Sequence, residues 1–321
     1  MASTRSAHRR YVSGFSGSSL AAPHTPAIID RMPALVIDGA AIAARTRAEV
    51  GVRAAVLRDM GKPVHLVALL IGATPAGELY ARRQGEACQA VGIGYDLLCM
   101  PDDVSQRSIK SEIRRLNKDP GVTGIMMHLP LPAHLDAARL QYEIDVVKDV
   151  EGVNPANIGY VVYGHTLIAP CTALSTLELI RSTGARLSGA EAVVVGASEI
   201  AGKPIALLLA EQMATVTLCH IATKDLKSHT RRAEVLVVAV GKPKLIGADH
   251  VKDGAIVIDV GINRIKGPDG TTRTVGDVDF DAVKAKAAFI SPVPGGVGPM
   301  TVAMLLRNTV RSAEILHKVH R

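Results

Sequence analysis

Residues 64–71 read Val-His-Leu-Val-Ala-Leu-Leu-Ile, an apolar run closed by Gly72. A strand apolar at successive positions buries both of its faces. That is the mark of a parallel sheet, and parallel neighbours need a helix-length crossover between them. The following residues supply the crossovers. Thr74 can cap a helix running to about residue 91. Residues 95–100 read as a second strand and 104–116 as a second helix. Residues 124–128 read as a third strand and 133–144 as a third helix. A helix over 40–61 precedes this series, stopping at Gly61. The stretch 147–164, with Gly152, Pro155, Gly159 and Gly164, reads as a linker. Beyond it, Thr172 opens a helix to about 183. Strands then fall at 192–195, 215–219, 235–240 and 255–260, with a helix at 200–213. The pattern predicts an α/β fold of two domains with parallel strands.

The 321 residues suffice for two domains of ~150 residues. Hydrophobic residues make up 48% but aromatics only 3%, with no Trp, so the core must be aliphatic. Of the net charge of +7, the first 31 residues carry +3. The remainder is mildly basic, which suits an anionic small ligand better than nucleic acid. No apolar run reaches the ~18 residues of a membrane span. Cys88, Cys99, Cys171 and Cys219 form no Cys-x-x-Cys pair, so neither a metal site nor a dithiol is indicated. Scattered cysteines fit a reducing compartment and hence the cytoplasm. Residues 1–31, rich in Ser, Ala and Arg, read either as a spurious extension before Met32 or as a mitochondrial presequence. In both readings they are expected to be disordered.

Two stretches carry chemistry. Val193-Val-Val-Gly-Ala-Ser-Glu-Ile-Ala-Gly202 is strand, glycine turn, helix, the setting for a pyrophosphate at a helix N-terminus. Ser198 replaces the middle glycine of the usual fingerprint, and the segment alone fits a ligand-free turn equally well. Gly241 and Gly261 also follow apolar runs directly, so three glycine turns fall at strand ends. The strand that should meet the ribose ends at Cys219-His220-Ile221, with no acid to repel a 2′-phosphate, which permits NADP. The second stretch is Ile290-Ser-Pro-Val-Pro-Gly-Gly-Val-Gly-Pro-Met-Thr301. It follows a strand-like run at 287–290 and precedes a helix-like run over 301–319. Three prolines among three glycines make a rigid loop that lets backbone approach a ligand.

From Leu35 to Arg311 the chain resembles the methylenetetrahydrofolate dehydrogenase/methenyltetrahydrofolate cyclohydrolase family. The matching segments are Gly72-Ala-Thr-Pro-Ala76 with Tyr80, His128-Leu-Pro-Leu-Pro132, Lys148-Asp-Val-Glu-Gly152, Pro170-Cys-Thr172, Gly196-Ala-Ser198, Asp259-Val-Gly-Ile-Asn263 and the Pro292 to Thr301 segment. The resemblance implies a folate-binding α/β domain over 32–151, rejoined by 297–321 as a returning C-terminal helix. It implies a Rossmann-type NAD(P)-binding domain over 152–296, through which the family usually dimerises. It also implies hydride transfer from 5,10-methylenetetrahydrofolate to NADP, with NAD as the alternative, and hydrolysis to 10-formyltetrahydrofolate. Tyr80, Gln84 and His128 are the implied catalytic positions. Tyr80, Glu151, Pro294, Gly295 and Gly296 would bind the folate. Thr172, Gly196, Ala197, Ser198, Ile221, Gly241, Gly261 and Ile262 would bind the dinucleotide; no metal is implied.

The departures from the family fall at the site. Its Lys is Gln84, its Gln is His128 and its Asp is Glu151. Gly77, Ala173 and Ser175 also differ, as do Ala197, Ile221 and Ala222 where a 2′-phosphate is often met. Gln does not titrate. Hydrolysis needs an activated water whereas hydride transfer needs chiefly positioning, so the exchange at residue 84 should harm hydrolysis more. His128 either supplies a replacement base or is a polar residue satisfied by Gln84. Alternatives are a paralogue acting on another pterin carrier and a binding protein without turnover.

Overall fold

The computed structural model describes residues 33–72, 74–266 and 271–319. The presequence and alternative-start readings of residues 1–31 lie outside them. In chain order the elements are β1 (Leu35–Val36), α1 (Gly39–Asp59), β2 (His65–Ile71), α2 (Pro75–Ala90), β3 (Gly94–Met100), α3 (Gln106–Lys118), β4 (Gly124–Met127), α4 (Ala137–Gln141), α5 (Pro155–Val162), α6 (Cys171–Ser182), β5 (Glu191–Val195), α7 (Gly202–Glu211), β6 (Thr215–Cys219), α8 (Leu226–Thr230), β7 (Val235–Val238), β8 (Ile256–Asp259), β9 (Asn263–Lys266), β10 (Thr272–Val275), α9 (Phe280–Lys284), β11 (Phe289–Ile290) and α10 (Val297–Leu316).

The expected α/β alternation yields two parallel sheets. One is three-stranded in the order β3-β2-β4, and the other six-stranded in the order β1-β11-β8-β7-β5-β6. In the second, β5 lies between β6 and β7. The chain therefore leaves β5 to one side and returns to the other, which makes its carboxyl end a topological switch point. No helix among the described residues is long and apolar enough to cross a membrane.

Three local expectations are corrected. The helix expected over 133–144 is only the short α4. Pro130 and Pro132 oppose helix upstream, and Asp136 takes the Arg139 N–H at 3.0 Å, so the helix starts late. The supposed linker contains α5, capped by Asn154 accepting from Ala156 N–H, with Pro155 at the first helical position. Residues 35–36, expected to open the first domain, pair with β11 at the edge of the six-stranded sheet.

The C-terminal helix α10 starts at Val297, earlier than residue 301, because Pro299 sits in the first turn where its missing N–H costs nothing. Its 20 residues span ~30 Å and serve two cores. Met300, Ala303 and Met304 pack with Val194, Val237 and Ile258 of the larger sheet. Leu306, Val310 and Ala313 pack with Val50, Leu57 and Leu66 beside the smaller one. Asn308 pins the helix between them, its amide donating to the carbonyls of Val150 and Ala169, both at 2.9 Å.

Candidate active site

A cavity of about 510 Å³ opens between α2, the end of β4, the Lys148-to-Gly152 turn and the first half of α10. Tyr80, Arg83 and Gln84 stand at i, i+3 and i+4 on α2 and so share one face. Thr74 fixes that helix by accepting from Gly77 N–H at 3.1 Å, with Pro75 in its first turn. Met126, Met127, His128 and Leu129 come from the end of β4, and Thr301, Val302 and Leu305 from α10; Cys171 opens α6. The turn is locked from behind. Lys148, buried, donates to the carbonyls of Leu116 and Asp119, closing the end of α3. Buried Asp149 accepts from Gly152 N–H, Asn154 N–H and the Asn157 amide. Both are structural, and their effect is to present Glu151 to the cavity.

The polar atoms of this wall are poorly satisfied by the protein itself. Gln84 and His128 are only 5% and 8% exposed, yet Gln84 Oε1 and His128 Nε2 have no hydrogen-bond partner. The Gln84 amide nitrogen turns to Met126 Sδ instead. His128 is thus not satisfied by Gln84, and its ring meets Tyr80 edge-on, the centroids 6.2 Å apart. Buried unpartnered polar atoms are costly, and a cavity wall that holds two of them suits a ligand with polar groups. Burial lowers the His128 pKa, keeping the imidazole neutral. Glu151 accepts only a long 3.4 Å bond from Met127 N–H. Burial, with Asp149 nearby, pushes its carboxyl up to about 7. Near neutral pH the wall therefore offers two groups able to take up a proton, and neither is residue 84. Burial holds the Cys171 thiol protonated.

The dinucleotide candidates gather elsewhere. Gly196, Ala197 and Ser198 follow β5 at the switch point, Ile221 follows β6, Gly241 follows β7, and Gly261 and Ile262 follow β8. These strands are neighbours, so the loops share one sheet edge. Gly196 adopts φ +114°. A Cβ there would lie 2.1 Å from the Ala239 carbonyl oxygen, and one on Gly202 only 1.8 Å from that of Gly196. Only glycine permits this close helix–strand approach, which leaves Ser198 exposed before the N-terminus of α7. Ser198 Oγ accepts from Gly202 N–H at 3.3 Å. The Ile221 side chain is fully exposed. Thr172 lies in the first turn of α6, next to Cys171 of the cavity wall.

Two placements differ from expectation. Pro294, Gly295 and Gly296 do not line the 510 Å³ cavity. Instead a Cβ on Gly39 would lie 2.0 Å from the Gly296 carbonyl oxygen, so this loop seats the start of α1, and Thr301 is what its segment contributes to the wall. Gly261 is buried rather than open. Among residues the sequence reading passed over, Arg83 lines the cavity, and its spacing from Tyr80 was the available signal. Asp259 and Asp277 stiffen the dinucleotide edge. Asp277 accepts from Val240 N–H at 2.7 Å, Gly241 N–H at 2.9 Å and the Asn263 amide at 2.8 Å. Asp259 accepts from the N–H groups of Gly261, Asp277 and Val278, and burial raises its carboxyl to about 6.

A parallel sheet with glycine loops at its switch point, joined to a second α/β unit holding a largely apolar cavity with a few polar groups, defines a two-domain dinucleotide-binding protein with a small-ligand site. Comparison with known proteins narrows this. The chain belongs to the tetrahydrofolate dehydrogenase/cyclohydrolase family: the model of its catalytic domain matches residues 37–151 and that of its NAD(P)-binding domain residues 170–317. The bifunctional protein FolD 2 of Mesorhizobium japonicum is 50% identical over 274 residues, covering 85% of this chain and 90% of that protein. The bifunctional protein FolD of Moorella thermoacetica is 46% identical over 88% of this chain and 99% of its own. Among solved structures, FolD of Trypanosoma brucei, complexed with NADP cofactor and inhibitor, superposes with a TM-score of 0.83 at 36% identity, covering 91% of this chain and all of that one.

Proposed function

We propose that this protein oxidises 5,10-methylenetetrahydrofolate to 5,10-methenyltetrahydrofolate with NADP, and that its methenyl hydrolase activity is weak. The observation that carries the reading is the cavity that joins Tyr80, Gln84, His128 and Glu151 with buried polar atoms left unpartnered. The residues at the sheet edge fit a dinucleotide: Gly196 and Gly202 clear the approach to α7, and Asp277 holds the Gly241 loop. When bound, NADP accepts the hydride that leaves the methylene carbon. In this reading residues 37–151, with the half of α10 that packs beside the smaller sheet, hold the folate, and residues 152–296, joined by β1, the dinucleotide. Thr172, Ala197, Ser198, Ile221 and Ile262 face the dinucleotide.

Oxidation needs no protein base, because the hydride carries both electrons and leaves the stabilised methenyl cation. Hydrolysis adds water to that carbon, breaks its bond to N5 and releases a proton. Gln84 cannot take that proton. His128, neutral, and Glu151 can, but neither stands on α2 where the family's lysine would. NADP is preferred on the absence of an acid after Cys219, although Ile221 and Ala222 offer a 2′-phosphate no side-chain hydrogen bond. A homodimer formed through the dinucleotide domain and a cytoplasmic location complete the reading.

The test is an assay of the purified protein with methylenetetrahydrofolate and either dinucleotide, following methenyl and formyl products separately. Reduction of neither dinucleotide refutes the dehydrogenase, and a kcat/KM ratio favouring NAD refutes the cofactor choice.

A further inference from the structure

The wall of the folate cavity is graded from floor to rim. Gln84 and His128 are buried, Glu151 is half-buried, and Tyr80 and Arg83 are exposed. Arg83 is the one Lys or Arg residue in that wall. Among the described residues it makes no ion pair and no hydrogen bond. The other charged group of the wall, Glu151, is of opposite sign but stands apart, since no ion pair joins them. At the mouth of an otherwise neutral-to-acidic cavity, this guanidinium of Arg83 has no partner among the described residues.

We infer that Arg83 forms a rim subsite for the carboxylates of the substrate's glutamyl tail. This rests on the folate reading of the cavity given above. A folate is asymmetric: its bicyclic head is uncharged and rich in hydrogen-bonding edges, and its far end carries carboxylates. The unpartnered atoms of Gln84 and His128 on the floor suit the head. The tail must then leave past Tyr80 and Arg83, which share the α2 face with Gln84. A guanidinium fork matches a carboxylate with two parallel hydrogen bonds, and further glutamates bring further carboxylates within its reach. A rim cation that instead replaced the lysine missing at residue 84 would act on the reacting carbon and change kcat. The exposed position of Arg83 favours the tail.

The experiment compares monoglutamyl with triglutamyl methylenetetrahydrofolate for the unmodified protein, Arg83→Gln and Arg83→Lys. Arg83→Gln should raise KM for the triglutamyl form about tenfold, the scale of one charge-assisted pair, and that for the monoglutamyl form less. Arg83→Lys should recover part of the difference, and added NaCl should shrink the unmodified protein's preference for the longer tail. Equal KM changes for both substrates, no change in either, or a fall in kcat at constant KM would each overturn the subsite. Calorimetric binding of mono- and triglutamyl tetrahydrofolate to the same three proteins reads the subsite without turnover. A protein that binds both but oxidises neither would thus lose the dehydrogenase reading and keep or lose the subsite on its own evidence.

Discussion

Gln84→Lys is the perturbation that most directly tests the site. Gln84 is 5% exposed, and its Oε1 has no hydrogen-bond partner within the protein. Lysine removes that oxygen and places an amine at the same point, facing a cavity it shares with Glu151. Burial should pull the amine well below its usual pKa of ~10.4 and so make a fraction of it available as a base. General base assistance is worth ~10²–10⁴-fold, or about 2.7–5.4 kcal/mol of barrier at 1.36 kcal/mol per decade. Hydrolysis of methenyltetrahydrofolate should rise towards the lower end of that range, because His128 and Glu151 also differ from the family and groups acting together are not additive. The dehydrogenase rate should move less than tenfold, the size of one ~1.4 kcal/mol change. Stopped assays that separate methenyl from formyl product, corrected for buffer hydrolysis, give both rates. Formation of formyl product by the unmodified protein as fast as it forms methenyl product would refute the reasoning. His128→Gln would then be the informative variant.

Three further outcomes are expected. Tyr80→Ala should weaken folate binding by ~1 kcal/mol or more, about fivefold in Kd, through loss of aromatic contact, measured by calorimetry. Glu151→Gln should raise stability at pH 8 and leave it nearly unchanged below pH 4.5. Folding lifts this carboxyl from 4.5 to about 7, so the stability present while it is protonated in both states is lost as pH rises through 7. The shift corresponds to about 3 kcal/mol at most, read as a pH-dependent difference in urea midpoints. Asp277→Ala should cost about 2–4 kcal/mol by orphaning the N–H groups of Val240 and Gly241 and the Asn263 amide. It should also weaken NADP binding, with Asp277→Asn intermediate in both readouts.

Much of the fold was legible because parallel strands must be apolar on both faces. The runs at 64–71, 192–195 and 235–240 read as buried strands, and β2, β5 and β7 stand there, the last ending at Val238. What failed was decided by single polar contacts. The late start of α4 depends on which N–H group Asp136 takes, and α5 on Asn154. In the site, Tyr80 and Gln84 were legible through the family resemblance, whereas Arg83, which no matching segment singles out, was signalled only by its i+3 spacing from Tyr80 on α2. The glycines of the Pro292-to-Thr301 segment show why sequence alone leaves such a loop open. The same absence of a side chain that admits a ligand also admits another backbone. Here Gly39 and Gly296 face one another at the junction of α1 and α10.

The three exchanges that the resemblance implies at residues 84, 128 and 151 are best understood together, because they fall in one cavity and the one at residue 84 removes a positive charge from it. A lysine at residue 84 would place a cation in the wall that holds the carboxylate of residue 151, and each would stabilise the other's charged form. With Gln84 that support is gone. Burial and Asp149 then outweigh the single Met127 N–H bond on Glu151 and push its carboxyl up to about 7, while burial lowers the pKa of the His128 imidazole. The resting cavity thus lies close to neutral at its floor, and its positive charge has moved to the rim at Arg83. A cation is produced in the proposed oxidation, on the methenyl group itself. A floor that combines a neutral imidazole with an ionisable Glu151 and lacks a lysine stabilises that cation better than one already carrying positive charge. On the proposed reading, the same change that removes a base for hydrolysis would therefore favour holding the methenyl product. In the proposed function, hydride transfer and accumulation of methenyltetrahydrofolate would be two consequences of one electrostatic arrangement.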